Sequence, residues 1–318
     1  MTQATAARFA TDPTTDARAA PAPATPGRSA RRAKAARRRT VQVGLATAGT
    51  AAVCAGFLLP FVWMLSTSFK TVEQTMASPP QLVPRPLAVE NFSNVWRSDR
   101  VDFPLCTRNT LVVAALVGLG TTLSSAVVAY GFAKVRFAGR GLLFAVMLGT
   151  MMIPYPVMMV PLFVVFRFVG DHSPFQMLGT FKPLWIPAWL GNAFSIFLLR
   201  QFYLTIPDAL GEAAKIDGCS EFGIFWRIFL PLSRPALTVV ALFAFMGAWK
   251  DYLGPLIYLQ RPSQYTLALG LAAMQSQQGG TQQNQLMAAA MLVMLPVLVL
   301  FFLAQKTFIQ GIATTGMK

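Results

Sequence analysis

The chain has 318 residues, of which 54% are hydrophobic and only 12% charged. A soluble domain carries about 25% charged residues, so this composition excludes an ordinary soluble fold and points to an all-α membrane protein. The net charge of +15 does not indicate nucleic acid, because the basic residues are concentrated beside an apolar run and carry no interleaved aromatics.

Residues 1–40 form the first element, expected to be a disordered basic tail. The stretch "MTQATAARFATDPTTDARAAPAPATPG" has few large apolar side chains and cannot bury enough surface to offset the entropy of ordering. Nine lysines and arginines against two aspartates place +7 of the charge in these 40 residues, most of it in "RSARRAKAARRR" (Arg28 to Arg39). Basic residues next to an apolar run set topology and contact lipid headgroups. The apolar run that follows is about 26 residues long, beyond the 7–15 of a signal-peptide core, which favours a retained helix over a cleaved leader.

Residues 41–318 are expected to form one transmembrane domain. No charge occurs from Thr40 to Phe69, from Asn109 to Ala133, or from Gly141 to Phe166, and each window exceeds the roughly 20 apolar residues that cross a bilayer. Six spans are predicted, near 41–66, 109–133, 141–167, 184–203, 235–258 and 286–305. The second carries Ala114, Gly118, Gly120, Ser124 and Ser125, small residues that let helices approach closely in lipid. The third contains Pro154, Pro156 and Pro161, tolerated where protein or a cavity satisfies the freed backbone groups. The Lys/Arg bias places the N-terminal block, the loop "KVRFAGR" (Lys134 to Arg140) and the segment 204–234 in the cytoplasm, and 67–108 and 259–285 outside. Both termini are then cytoplasmic.

The segment 204–234 is the polar exception. Thr205 and Asp208 have capping-box spacing, Pro207 is tolerated in a first turn, and a short helix is expected to run to about Ile216. Ala209, Ala213 and Ile216 share one face, and the small Ala213 and Ala214 would let a partner pack near the backbone. Asp217-Gly218 should stop the helix, Ser220 should cap a second one rich in Phe222, Phe225, Trp226 and Phe229, and Pro231 should end it. The second helix suits shallow burial at the membrane interface.

Other chemistry is poorly supplied. The three cysteines, Cys54, Cys106 and Cys219, lie in separate segments, and His172 is the sole histidine, so neither a disulfide framework nor a metal site organises the chain. No Gly-x-x-x-x-Gly-Lys-Ser/Thr phosphate loop occurs, no cofactor is expected, and the chain reads as a non-enzyme. A self-sufficient secondary transporter would need buried ion-coupling groups and repeated halves; Lys250 and Asp251 are its only clear candidates.

Glu212-Ala213-Ala214, Gly218 and Ile228-Phe229-Leu230-Pro231 resemble the signature loop of ABC importer membrane subunits. "WKDYLGPLIYL" (Trp249 to Leu259), "YTLALGL" (Tyr265 to Leu271), "RNTLVVAAL" (Arg108 to Leu116) and the stretch from Leu286 to Lys318 are similar to the carbohydrate-uptake permeases of the maltose-transporter class. Departures are Lys250 where the family usually has Asn after Trp249, Cys219 where it has Ala, and a missing final Gly of the loop. The resemblance implies a six-helix type I importer permease fold in the cell membrane. It implies a cytoplasmic coupling helix in which Glu212, Ala213, Ala214, Asp217 and Gly218 meet an ATPase. The implied partners are a second permease, usually different in sequence, two ABC ATPase subunits, an external solute-binding protein and lipid, without nucleic acid. The implied cargo is a di- or oligosaccharide, with glycerol phosphate-like or other small polar solutes as the alternative. Asn192, Trp249, Lys250, Asp251 and Tyr252 are the candidate substrate path.

Overall fold

The computed structural model describes residues 26–99, 101–276 and 282–315, and among them every regular element is helical. The chain divides into two compact units, residues 1–60 and 61–318. In the first, the described residues belong to helix α1 (Pro26–Ser68). Proline suits the first helical position, and the Ala, Arg and Lys that follow are strong helix formers. The helix therefore starts at residue 26 and takes in the basic run, so the expected boundary at 40 falls inside α1. Residues 1–25 of the expected tail lie outside the described residues. Pro60 lies inside α1, where it removes one bond of the helical ladder.

The second unit is built around α2 (Phe103–Lys134), whose N-terminus is capped by the Asp102 carboxylate accepting from Leu105 N–H at 2.9 Å. Then come α3 (Arg140–Thr150), α4 (Tyr155–His172), α5 (Ala193–Thr205), α6 (Ala209–Ile216), α7 (Arg234–Trp249) and α8 (Gln283–Thr315). The small residues of α2 face its neighbours. Ala114 and Ser125 are fully buried. Gly118 lies against Ala241 and Phe245 of α7, and Gly120 lies directly under the Trp189 ring.

Among the described residues, three helices are long and apolar enough to cross a membrane alone: Arg38–Ser68, Phe103–Lys134 and Gln283–Gln305. The other predicted spans are broken. The third is α3 and α4, bent by 100° where Met151 to Pro154 cannot continue the ladder. The fourth is a turn of helix at Lys182–Trp185, a tight 3₁₀ turn at Ile186–Leu190, then Gly191 at φ 99° before α5. The fifth ends at Trp249, and the chain resumes helix at Leu253–Tyr258. Proline and glycine account for the first two breaks.

Side-chain amides tie the segments beyond the spans to the helices. Asn91 Nδ2 donates to the carbonyls of Ser68 and Lys70, both at 2.9 Å, and Asn284 Nδ2 donates to Asn91 Oδ1 at 3.0 Å. Asn109 Nδ2 holds the carbonyls of Ser263 and Tyr265, each at 3.1 Å. These amides satisfy backbone groups that would otherwise be buried without partners.

Candidate functional site

The loop between α5 and α7 is a folded unit. Thr205 does not cap it. Its hydroxyl donates to Phe202 O at 2.7 Å and closes α5. Helix α6 begins at Ala209 behind Asp208, whose carboxylate makes no cap bond. That carboxylate is engaged elsewhere: Lys134 Nζ, at the end of α2, lies 2.5 Å from Asp208 Oδ1 and donates to Ile206 O at 2.6 Å. The Lys134 side chain is only 8% exposed. The hydrogen bond and charge of Lys134 hold the Asp208 carboxyl below the usual carboxylate range.

The far end of α6 is closed by the backbone. Gly218 adopts φ 82°, its N–H bonds Lys215 O at 3.0 Å, and Cys219 N–H bonds Ala214 O at 2.9 Å. This paired reversal is the Schellman stop, which needs a left-handed residue at the position Gly218 fills. Ser220 Oγ then accepts from Gly223 N–H at 3.2 Å and caps Glu221–Ile224. The helix widens into a π turn at Phe225–Phe229 and continues to Leu232. Pro231 therefore does not end it. The wide turn before Pro231 accommodates a residue that lacks an N–H, and the chain breaks at Ser233.

Helix α6 has two faces. Gly211 packs on Phe229 and Ile224, and Ala214 is buried at 7% exposure. Ala214 thus faces the protein rather than a partner, in the buried cluster that also holds Ile224 and Phe229. The opposite face carries Leu210, Glu212, Ala213 and Ile216, all exposed, with Ile216 at 87%. Asp217 and Gly218 are exposed at the tip.

An aromatic cluster supports the buried face. The Tyr130 ring lies 5.2 Å from those of both Phe225 and Phe229, and Tyr203 packs on Tyr130 and Phe229. The Tyr130 hydroxyl donates to Glu221 Oε2 at 3.0 Å, and Lys215 pairs with Glu221 Oε1. Of the four aromatics expected at the interface, Phe225 and Phe229 are core residues, whereas Phe222 and Trp226 are exposed. A cleft of about 600 Å³ separates the loop from α2 and α3, lined by Lys134, Arg136, Arg140 and Lys215 against Asp208, Glu212 and Glu221.

A second site lies where the broken helices meet. A cavity of about 560 Å³ is lined by Thr121, Tyr155, Asn192, Ser195, Phe243 and Asp251 among others. It shares Tyr155, Pro187 and Asp251 with an adjoining cavity of about 320 Å³. Asn192 caps α5 by accepting from Ser195 N–H at 3.0 Å, and its own N–H donates to Ser125 Oγ at 3.2 Å. Asp251 Oδ1 accepts from Gly254 N–H at 3.2 Å.

Of the predicted path residues, Asn192 and Asp251 line this cavity. Trp249, Lys250 and Tyr252 line neither cavity. Trp249 is buried, stacks on Phe245 and donates its indole N–H to Val293 O at 3.1 Å, which locks α7 to α8. Lys250 and Tyr252 are exposed. Sequence reasoning missed Lys134, Tyr130 and Tyr155. In the sequence Lys134 stands out only as a topology charge; the available signal is a lysine and a tyrosine one turn apart at the end of an apolar helix.

Residues 121–314 match the family described as binding-protein-dependent transport system inner membrane component. The arabinooligosaccharides transport system permease protein AraQ of Bacillus subtilis (strain 168) is 32% identical over 235 residues, covering 74% of this chain and 80% of its own. The sn-glycerol-3-phosphate transport system permease protein UgpE of Yersinia pestis bv. Antiqua (strain Antiqua) is 33% identical over 244 residues, covering 75% and 84%. Among solved structures, a chain of a bacterial ABC transporter involved in the import of the acidic polysaccharide alginate superimposes with a TM-score of 0.73 at 21% identity, covering 85% of this chain and 97% of that one. A bacterial alginate ABC transporter in complex with alginate pentasaccharide-bound periplasmic protein gives 0.62 at 17% identity, covering 84% and 94%. The fold is that of these importer permeases.

Proposed function

The chain belongs to the binding-protein-dependent transport system inner membrane component family, and from this membership we propose that it is one permease of a two-permease importer core. It passes an oligosaccharide or another small polyhydroxylated solute received from an external binding protein. The names of its relatives divide between arabinooligosaccharides and sn-glycerol 3-phosphate, which supports a polyhydroxylated cargo without choosing between neutral and anionic kinds.

The observation that carries the coupling part of this reading is the shape of α6. It is a short helix capped at its end by Gly218, buried on one face and open on the other at Leu210, Ala213 and Ile216. A capped short helix with an uncovered apolar face fits a cleft in a motor subunit. ATP-driven movement of two ABC ATPases would act on Glu212, Ala213, Asp217 and Gly218 at this surface, and on Ala214 through packing. The aromatic cluster and Lys134 would carry the displacement into α2 and α5. Rocking of these helices against a second, different permease would open the Asn192–Asp251 cavity to alternate sides.

The Lys/Arg bias supports a cytoplasmic position for α6 and for both termini. Residues 1–40 serve as a basic cytoplasmic arm against anionic lipid, and 41–318 as the transport domain. The test is reconstitution of the chain with its partner permease, ATPases and binding protein in proteoliposomes, followed by uptake of radiolabelled arabinotriose. ATP-dependent accumulation that requires the binding protein is the expected result. Accumulation without ATP would overturn the reading.

A further inference from the structure

The Asn192–Asp251 cavity carries a charge that the proposed function leaves unused. Asp251 faces both joined cavities, and no lysine or arginine lines either of them. The described ion pairs are Lys134–Asp208, Arg167–Asp171 and Lys215–Glu221, so Asp251 has no basic partner among the described residues. Lys250, its neighbour in sequence, is exposed and lies outside the cavity lining. The remaining lining combines hydroxyl and amide groups at Thr121, Ser195 and Asn192 with aromatic faces at Tyr155 and Phe243.

A carboxylate is an acceptor for two hydroxyl donors at once, and aromatic faces suit the apolar faces of a sugar ring. The volume of about 560 Å³ falls within the range of small-molecule sites, about 300–1,000 Å³. An anion entering the same space meets a like charge where the dielectric is low and no cation offsets it. An ionisable side chain within the spans is expensive to keep and marks a solute path.

We propose that Asp251 is a specificity-determining residue, making this cavity a site for neutral, hydroxyl-rich solutes and turning anionic ones away. The inference rests on the reading of the chain as a permease and names the solute class of that same site.

The test reads the potential in the cavity directly, independently of what the binding protein delivers. In the full assembly, with the native cysteines replaced, Ala248→Cys places a thiol on the cavity wall. Its modification rates by an anionic and by a neutral methanethiosulfonate of similar size are compared. The anionic reagent is expected to lag, and Asp251→Asn to raise the anionic-to-neutral ratio by roughly tenfold or more. Asn keeps the oxygen that accepts the Gly254 N–H; Asp251→Glu, which keeps the charge, should leave the ratio low. Ala244→Lys, on the same wall, should raise the ratio with Asp251 in place and covers the case in which Asp251→Asn does not accumulate. An unchanged ratio in Asp251→Asn and Ala244→Lys overturns the proposal, as does a thiol that no reagent reaches. Uptake of arabinotriose by the unsubstituted assembly is measured in parallel. Its presence with an unchanged ratio rejects the role of Asp251 alone, whereas its absence rejects the permease reading for sugars and this inference with it.

Discussion

Lys134 and Asp208 lie 2.5 Å apart and join the last residue of the central helix α2 to the residue that precedes α6. The same ammonium donates to Ile206 O at 2.6 Å and sits 5.3 Å from the centroid of the Phe229 ring. One side chain thus fixes both ends of the buried face of the loop. Movement of α6 cannot leave α2 unaffected while these contacts hold.

Lys134→Met keeps the stem and removes the donors. A hydrogen bond to a charged group contributes on the order of 1.5 kcal/mol or more, equivalent to about tenfold in a population. We expect normal accumulation in the membrane, ATP hydrolysis that persists, and solute uptake reduced about tenfold. Uptake and hydrolysis measured together in proteoliposomes check this, and equal losses in both would count against a coupling role.

The Asp208 carboxyl is held below its ordinary value of about 3.9 by Lys134. Its folded pKa is depressed, so its stabilising contribution is present above the unfolded value and is lost as pH falls through the folded one. The difference in thermal inactivation between the unsubstituted protein and Asp208→Asn should be constant from neutral pH down to about 5 and shrink below about 4. A difference that changes between pH 6 and 8 would assign the effect to another group.

Gly218 at φ 82° closes α6. Alanine in the left-handed region costs roughly 1–2 kcal/mol but leaves the N–H that bonds Lys215 O. Proline cannot adopt this φ and has no N–H. Gly218→Ala should lower coupled uptake moderately and Gly218→Pro should abolish it, with membrane insertion of both variants preserved in a protease-protection assay.

A Cβ added at Gly120 would lie 2.3 Å from Trp189 Cδ1. Gly120→Leu should force the ring out and destabilise the bundle by about 1–3 kcal/mol. A fall in the melting temperature of the detergent-solubilised assembly is the expected outcome. Gly131, where such a Cβ would have nothing within 4 Å beyond its chain neighbours and its own helix backbone, is the control that should tolerate alanine.

What the sequence made legible follows the range of the forces involved. Ser220 and Gly218 were readable because a cap and a left-handed stop depend on neighbours within a few residues. The small residues of α2 were readable because close helix packing requires them. Thr205 failed as a cap because the spacing cannot show that α5 would continue through it. Ala214 and Phe229 face inward because Tyr130 and Tyr203, on two other helices, complete the cluster, and no local pattern announces that. Trp249 looked like a solute contact by residue type, but its indole N–H meets Val293 on another helix. Asp251 and Asn192 were named from chemistry alone, and only folding the broken helices together puts them in one cavity.

Docking of an ATPase on the open face of α6 is the step of the proposed function on which coupling depends. Ile216 is 87% exposed and belongs to none of the three buried clusters, so Ile216→Asp should leave the fold intact, within about 0.5 kcal/mol for an exposed site. The decisive measurement is mild-detergent purification of the tagged chain from its native membranes, with and without Ile216→Asp, and quantification of co-purified proteins by mass spectrometry. An ABC ATPase and a second permease are expected with the unsubstituted chain, and loss of the ATPase but not of the permease with the variant. An unsubstituted chain that brings down no ATPase, or a variant that retains it in full, would rule out this docking surface.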